Sequence, residues 1–396
     1  MGDVLLGNPR NGYSPKAVAG WTGLQALGLG CLTANGFAPI QLKNVPDTPL
    51  ARAALLSDGD LLMSRANTRE LVGLVGRYRS TGRPTIYPDL MMRLRTDEDR
   101  CLSEYLEIVL RSARVRREVT TGARGTSESM VKIGAELVTA LEIPLPMLSE
   151  QRRIVAAYTA FERRISNLER VREKVRLGGE ALRTHSLRCS FDATASPLGG
   201  MLIDIETGLG AGTIARQPMD GEWGVLRLSA FTSGRFARDQ AKCLPVAGPS
   251  VSTLEIRDRD VLMVRVNGAQ DLVGAVRVAR KVRSGLLLSD LMYRLVPDED
   301  QILSEFLGLV LEFNPVRQQI RQAMRGSSGQ FQLPKSQLEA IRLPKIDVEE
   351  QQRIVAANSA FGRRIENIER KIVKCRTVQQ AVVESLLGQR VLDSVA

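Results

Sequence analysis

Two stretches of the chain carry apolar residues on a seven-residue beat. From Ser149 onward, Ile154, Phe161, Leu168, Val175 and Leu182 recur every seventh position, with Ala157, Ile165 and Val171 on the neighbouring face. From Asp347 onward the same beat returns at Ile354, Phe361, Ile368, Cys375 and Val382, flanked by Ile365, Ile372 and Leu386. Charged residues fill the outer positions, so the pattern predicts two long helices that pair as a coiled coil. Its core is assigned to Ile154, Phe161, Ile165, Leu168 and Val175 in the first helix. In the second it is assigned to Ile354, Phe361, Ile365, Ile368 and Ile372. A helix of about 40 residues spans roughly 60 Å, too long for an ordinary globular element. Asp347 and Glu350 are spaced as a capping box. Gly178-Gly179 is expected to kink or fray the first helix.

The intervening segments follow a different rhythm, mixed α and β. Short apolar runs bounded by turn residues, Leu61–Met63 and Val261–Val264, read as buried strands. Leu71–Val75 and Leu272–Val276 suggest a second strand, and Leu90–Leu94 a third. Leu102, Leu106, Val109, Leu110 and Val115 recur at helical spacing, as do Leu303, Leu307, Val310 and Leu311. Gly- and Ser-rich stretches at 122–129 and 326–329 read as exposed loops.

These elements occur twice. Between residues 150 and 170, 15 of 21 positions are identical to those 200 places later. Asp60–Asn67 answers Asp260–Asn267, Asp89–Leu94 answers Asp290–Leu295, and Arg124-Gly125-Thr126-Ser127 answers Arg325-Gly326-Ser327-Ser328. The likeness is strong in the helices, thinner in the globular parts and nearly absent over residues 7–50 and 206–250. Units this long are not solenoid repeats. A shared scaffold that carries two different reading surfaces has this profile; so does a duplication that has simply drifted.

Charge narrows the choice. The chain of 396 residues has 55 Lys and Arg against 44 Asp and Glu, a net charge of +11. Arginine predominates, and its planar fork suits phosphates and guanine edges. The five cysteines show no paired spacing, which argues against a disulfide scaffold or zinc knuckle. No run approaches the 18 apolar residues of a membrane span. The first residues lack a secretory pattern, so a cytoplasmic protein with no membrane partner is expected.

Catalytic groupings are missing. The single histidine, His185, cannot supply a metal cage or triad in both copies and is expected at the surface. There is no Gly-x-x-x-x-Gly-Lys-Ser/Thr phosphate loop. Gly208-Leu209-Gly210-Ala211-Gly212 has neither a preceding apolar strand nor a twin, which favours a loop over a cofactor site. Asn8-Pro9-Arg10 lacks the second proline and aromatic of the amino-methyltransferase motif. The acidic runs Asp97–Asp99 and Asp298–Asp300 sit just before helical patterns, where they complement a helix dipole.

The segment Pro144-Leu145-Pro146-Met147-Leu148-Ser149-Glu150-Gln151-Arg152-Arg153-Ile154-Val155-Ala156, its echo from Leu343-Pro344 to Ala356, and Gly59–Arg65 resemble conserved regions of type I restriction–modification specificity subunits. The resemblance runs over nearly the whole chain, in the order domain, helix, domain, helix. It implies an α+β fold class with two target-recognition domains of mixed α/β structure around twisted sheets. Two long α-helices would separate them as an antiparallel coiled coil, giving a pseudo-twofold internal repeat. The corresponding ranges are 1–148 and 191–346 for the domains, 149–190 and 347–396 for the helices. The resemblance further implies that each domain reads one part of a bipartite, asymmetric site in double-stranded DNA. The helices would set the spacer and dock the methyltransferase subunits, two being expected, and the motor-nuclease subunit would join through that complex. The chain itself would be no enzyme and hold no cofactor; S-adenosylmethionine, ATP and Mg²⁺ would belong to the partners. A stand-alone DNA-binding protein of the same architecture is the alternative.

Arg65 and Asn67, with Arg265 and Asn267, follow a predicted strand and suit guanine and adenine edges. Because both copies share them, phosphate contact and scaffold duty stand ahead of base contact. Unshared polar residues, Arg69, Tyr78, Arg83, Tyr87, Arg235, Arg238 and Gln270, are the candidate base readers. Arg124, Thr126, Ser127, Arg325, Ser327 and Ser328 form two candidate phosphate clamps.

Overall fold

In the computed structural model the described residues are all except 128–129, 192–194, 211, 233–235, 246–248, 327–328 and 394–396. The chain folds into two compact units that do not follow chain order. One comprises Met1–Arg170 with Glu369–Ala396, and the other Val171–Ile368. Two helices, Leu148–Phe191 and Val348–Asp393, each contribute one half to each unit.

In the first unit a four-stranded antiparallel sheet runs in the order Arg10–Asn11, Met91–Leu94, Leu61–Ser64, Val75–Arg77. Its inner strand explains the uninterrupted apolar run. Leu61 and Met63 enter one core with the helical residues Leu106 and Val109, while Leu62 enters another with Tyr78, Ile86 and Met91. Successive side chains point to opposite faces of a strand, so a sheet covered on both faces needs apolar residues at every position. The second unit repeats the arrangement with Leu202–Thr207, Met292–Pro297, Val261–Val264 and Val276–Val278. Val261 and Met263 face one core, Leu262 and Val264 the other.

The repeated Asp and Arg of the strand motifs brace this sheet. Arg93 donates to Asp60 at 3.1 Å and Arg294 to Asp260 at 3.3 Å, and both aspartates also accept a turn amide at 2.9 Å, from Ser57 and Arg257. The acidic runs cap helices, as their position suggests. Glu98 accepts from the Ser103 amide and Glu299 from the Ser304 amide, each at 3.2 Å.

Four local expectations are corrected. The second strand begins at Val75 and Val276, not at Leu71 and Leu272, because Gly73 and Gly274 turn the chain at φ +71° and +74°. A Cβ on either would lie within 2.4 Å of the Val119 or Ile320 side chain. The helix after Leu102 stops at Ser112 and resumes as Ala113–Gly122. The stretch around Gly125 is no loop: Arg124–Ser127 is a strand that pairs with Met130–Lys132, which pairs in turn with Ala66–Asn67. Finally, the first long helix runs unbroken through Gly178-Gly179. Gly179 is buried against the Phe361 ring, which a Cβ would meet at 3.1 Å.

Within each unit the two helical halves run antiparallel. In the first, Ile154 shares a core with Val383 and Leu387, Gln379 donates to Glu162 at 2.7 Å, and Arg376 pairs with Glu169 at 2.9 Å. In the second, Leu187 shares a core with Ile354, and Gly179 faces Phe361. Of the assigned coiled-coil positions, Ile154, Ile165, Val175, Ile354, Ile368 and Ile372 are buried, and Phe161, Leu168, Phe361 and Ile365 are half-buried. The second helix starts under an Asp347 cap, whose carboxylate accepts the Glu350 amide at 2.8 Å.

Candidate nucleic-acid interface

The structure brings the two shared candidate groups together. In the first unit Asn67 stands opposite Val131, and Arg124 opposite Lys132, in one small antiparallel sheet. In the second, Asn267 stands opposite Phe331, and Arg325 and Gln332 exchange backbone hydrogen bonds at 2.8 Å each way. Arg124 and Arg325 are exposed. Thr126 and Ser127 lie on the strand through their backbone; their side chains, and all of Ser327 and Ser328, fall outside the described residues.

The shared Asn residues spend their side-chain oxygens on the chain itself. Asn67 Oδ1 accepts the Thr68 amide at 2.9 Å and Asn267 Oδ1 the Ala269 amide at 2.8 Å. Arg65 is half-buried. Arg265 donates to the Asp290 carbonyl at 3.2 Å, with its guanidinium 5.5 Å from the Tyr293 ring centre.

Unshared candidates divide by accessibility. Tyr78 and Tyr87 are 2% exposed and belong to the core that holds Leu62, Ile86 and Met91. Burial holds the Tyr87 hydroxyl above its ordinary pKa, and that hydroxyl donates to the Arg10 carbonyl at 3.3 Å. Rings so placed cannot meet a base without opening the core, so these two positions support the surface. Arg69 is tied to the end of a helix, donating to the carbonyls of Thr120 at 3.0 Å and Ala123 at 3.4 Å. Arg83, Arg238 and Gln270 are exposed. Arg83 lies 4.8 Å from the ring centre of exposed Trp21, and Arg238 donates to the Lys281 carbonyl at 3.0 Å. Arg235 lies outside the described residues. His185 is exposed.

Two kinds of residue escaped sequence reasoning. The first is the buried glutamine that opens each long helix. Gln151 accepts the Leu102 amide and donates to the carbonyls of Arg100 and Pro146, all at 2.9 Å. Gln351 repeats this with the Leu303 amide at 2.9 Å and the Gln301 and Ile346 carbonyls at 2.8 Å. Their signal was available: an identical polar residue three places before Ile154 and Ile354, on the apolar face. The second is a pair of arginines, Arg116 half-buried and Arg317 buried, that brace the turns before the edge strands. Arg116 donates to the Val72 carbonyl at 2.6 Å, and Arg317 to the Val273 carbonyl at 3.2 Å. Burial lowers the pKa of both.

Burial pushes the Cys101 thiol up to about 12, the opposite of an activated nucleophile. Among the described residues no cluster of three His, Cys, Asp or Glu could hold a metal ion. No described helix is long and apolar enough to cross a membrane.

No family model matches the sequence. Solved structures do. The chain aligns over 98% of its length with 94% of the type I restriction–modification S subunit of M. genitalium, at a TM-score of 0.54 and 13% identity. It also aligns over 98% of its length with 96% of a chain from a study of complex assembly and conformational transition in a type I system, at a TM-score of 0.59 and 20% identity. The fold is that of type I S subunits. Two curated sequences are also similar. The StySPI specificity subunit of Salmonella potsdam is 22% identical over 303 residues, 72% of this chain and 64% of that protein. The EcoEI specificity subunit of Escherichia coli is 31% identical over 94 residues, 24% of this chain. This chain therefore spans less than two thirds of the length of these relatives, 64% of the first and 16% of the second.

Proposed function

We propose that this chain is the sequence-specific DNA-recognition subunit of a type I restriction–modification enzyme. Each globular part reads one part of a bipartite, asymmetric site, and the long helices set the spacer and dock methyltransferase subunits. A motor-nuclease subunit joins through that complex. The chain is non-catalytic in this reading, and chemistry with S-adenosylmethionine, ATP and Mg²⁺ lies in the partners. The work belongs in the cytoplasm, where the DNA is.

One observation carries the proposal: two units share a sheet scaffold and its bracing side chains, yet differ at several exposed side chains. Asp60–Arg93 and Asp260–Arg294 are the same brace, whereas Trp21 lies beside Arg83 where Met219 lies beside Arg283, and Ala38 stands 200 places before Arg238. A common frame with unlike surfaces is what reading two different half-sites requires, since phosphate contacts position a protein and base contacts specify the sequence.

Methylation-aware sequencing of host DNA, with and without the gene, tests it. The expected result is one bipartite methylated motif that disappears on deletion. An unchanged methylome, with tight site-specific binding by the purified chain alone, would instead favour a stand-alone DNA-binding protein.

A further inference from the structure

Each unit exposes a large apolar residue that an arginine contacts, on the same two connections of the fold, at the ring in the first unit and at the backbone carbonyl in the second. In the first unit Trp21, 49% exposed, lies on the segment leading into the strand Gln25–Leu27. Arg83 stands 4.8 Å from its ring centre, on the connection from Val75–Arg77 to Thr85–Ile86. In the second unit Met219, 64% exposed, lies on the segment leading into Trp223–Leu226. Arg283 donates to the carbonyls of Met219, at 3.4 Å, and Glu222, on the connection from Val276–Val278 to Leu286–Leu287. The middle strand pairs in parallel with the strand after the arginine in both units, so the two connections meet at the same place.

The arginine side of the first pair is held by hydrogen bonds. Gln25, 4% exposed, donates to the hydroxyls of Thr81 at 2.6 Å and Thr85 at 2.9 Å, and the Tyr78 hydroxyl accepts the Thr81 amide at 3.4 Å. In the second unit the Gly285 amide is held by the Glu255 carboxylate at 2.7 Å. Exposed Lys16 lies on the first of these connections and adds positive charge, while exposed Arg79 on the second stands 3.8 Å from the Asp58 carboxylate.

An apolar side chain held out into water next to a cation suits a polyanion with an apolar stack inside it. Apolar wedges enter DNA between base steps and unstack them, and arginine beside them meets phosphate. We propose that Trp21 with Arg83, and Met219 with Arg283, are paired wedges that unstack one base step in each half-site. This rests on the DNA-recognition reading above. It assigns the unstacking to an indole in one half and to a thioether in the other.

The test uses the full chain co-expressed with its methyltransferase. 2-Aminopurine is placed singly at steps of each half-site other than the methylated base, and binding is followed by anisotropy on the same duplexes. A rise in 2-aminopurine emission is expected at one step in each half. Trp21→Ala should abolish the rise in one half only and Met219→Ala in the other only, each weakening binding about tenfold, with Trp21→Phe retaining most of both. Tight binding with no emission rise, or a rise that survives both alanine variants, would overturn the wedge and leave the recognition reading intact. Absence of site-specific binding by the wild-type complex would overturn both.

Discussion

A single glutamine shows how a polar side chain can join two elements. Gln151 is fully buried, and three backbone groups from the preceding globular part depend on it. Leaving a buried donor or acceptor unpaired costs about 1–3 kcal/mol, far more than a net hydrogen bond gains. Gln151→Leu is therefore expected to destabilise the first unit by about 2–4 kcal/mol. Hydrogen exchange should report faster opening at the Leu102 amide and no change at Leu303, which Gln351 holds in the other unit. Equal protection at both amides would show that the glutamine is dispensable. The identity of the two glutamines was legible in the sequence, but their partners were not, since they lie about 50 residues upstream. Tyr78 and Tyr87 teach the complementary lesson. Their ring chemistry suits base contacts, yet only folding decides whether a tyrosine faces water or a core.

The long helices were the most legible elements, because a repeated apolar beat states both the period and the extent of a helix. The glycine pair within the first was misread for a reason of packing. Glycine destabilises an exposed helix, but Gly179 leaves room for the Phe361 ring, and Gly178 lies in ordinary contact at 3.8 Å. Gly178→Ala is thus expected to stabilise the helix by about 0.5–1 kcal/mol, the usual difference in helix propensity. Gly179→Val should cost stability, since the ring already stands 3.1 Å from the added Cβ and the branched side chain brings further atoms. Thermal melts of the two variants that shift in the same direction would contradict this account. Toward the end of the second helix Val383 and Leu387 are buried while Val382 and Leu386 are half-buried, so the strict beat drifts by one position. A straight helix drifts in this way, about 20° per heptad, when no supercoil compensates. Short strands were harder. Gln25–Leu27 and Trp223–Leu226 take the same place in their sheets although their sequences share almost nothing.

At the scale of the whole molecule, the first compact unit is completed by a segment distant in sequence, whereas the second is one continuous stretch. Residues 369–396 close the first unit, bringing Val383 and Leu387 into its core beside Ile154. Ending the chain after Ile368 removes both, at about 1.5–3 kcal/mol for each buried aliphatic side chain, along with the Gln379 bond to Glu162. The first unit should become sensitive to limited proteolysis, while the second, complete within Val171–Ile368, should keep its protection. Equal protease resistance of the first unit in the truncated and full chains would contradict this.

The sequence alone determined the duplication, the two helices and their charged outer faces, because each is written in local spacing or in residue identity. Tertiary structure decided three other things: which shared residues brace the sheet, which tyrosines are withdrawn from the surface, and which apolar side chains stay outside. Asp60 and Arg93, or Trp21 and Arg83, are 33 and 62 residues apart. No local rule brings such pairs together; the antiparallel pairing of Met91–Leu94 with Leu61–Ser64 does so for the first, and the parallel pairing of Gln25–Leu27 with Thr85–Ile86 for the second.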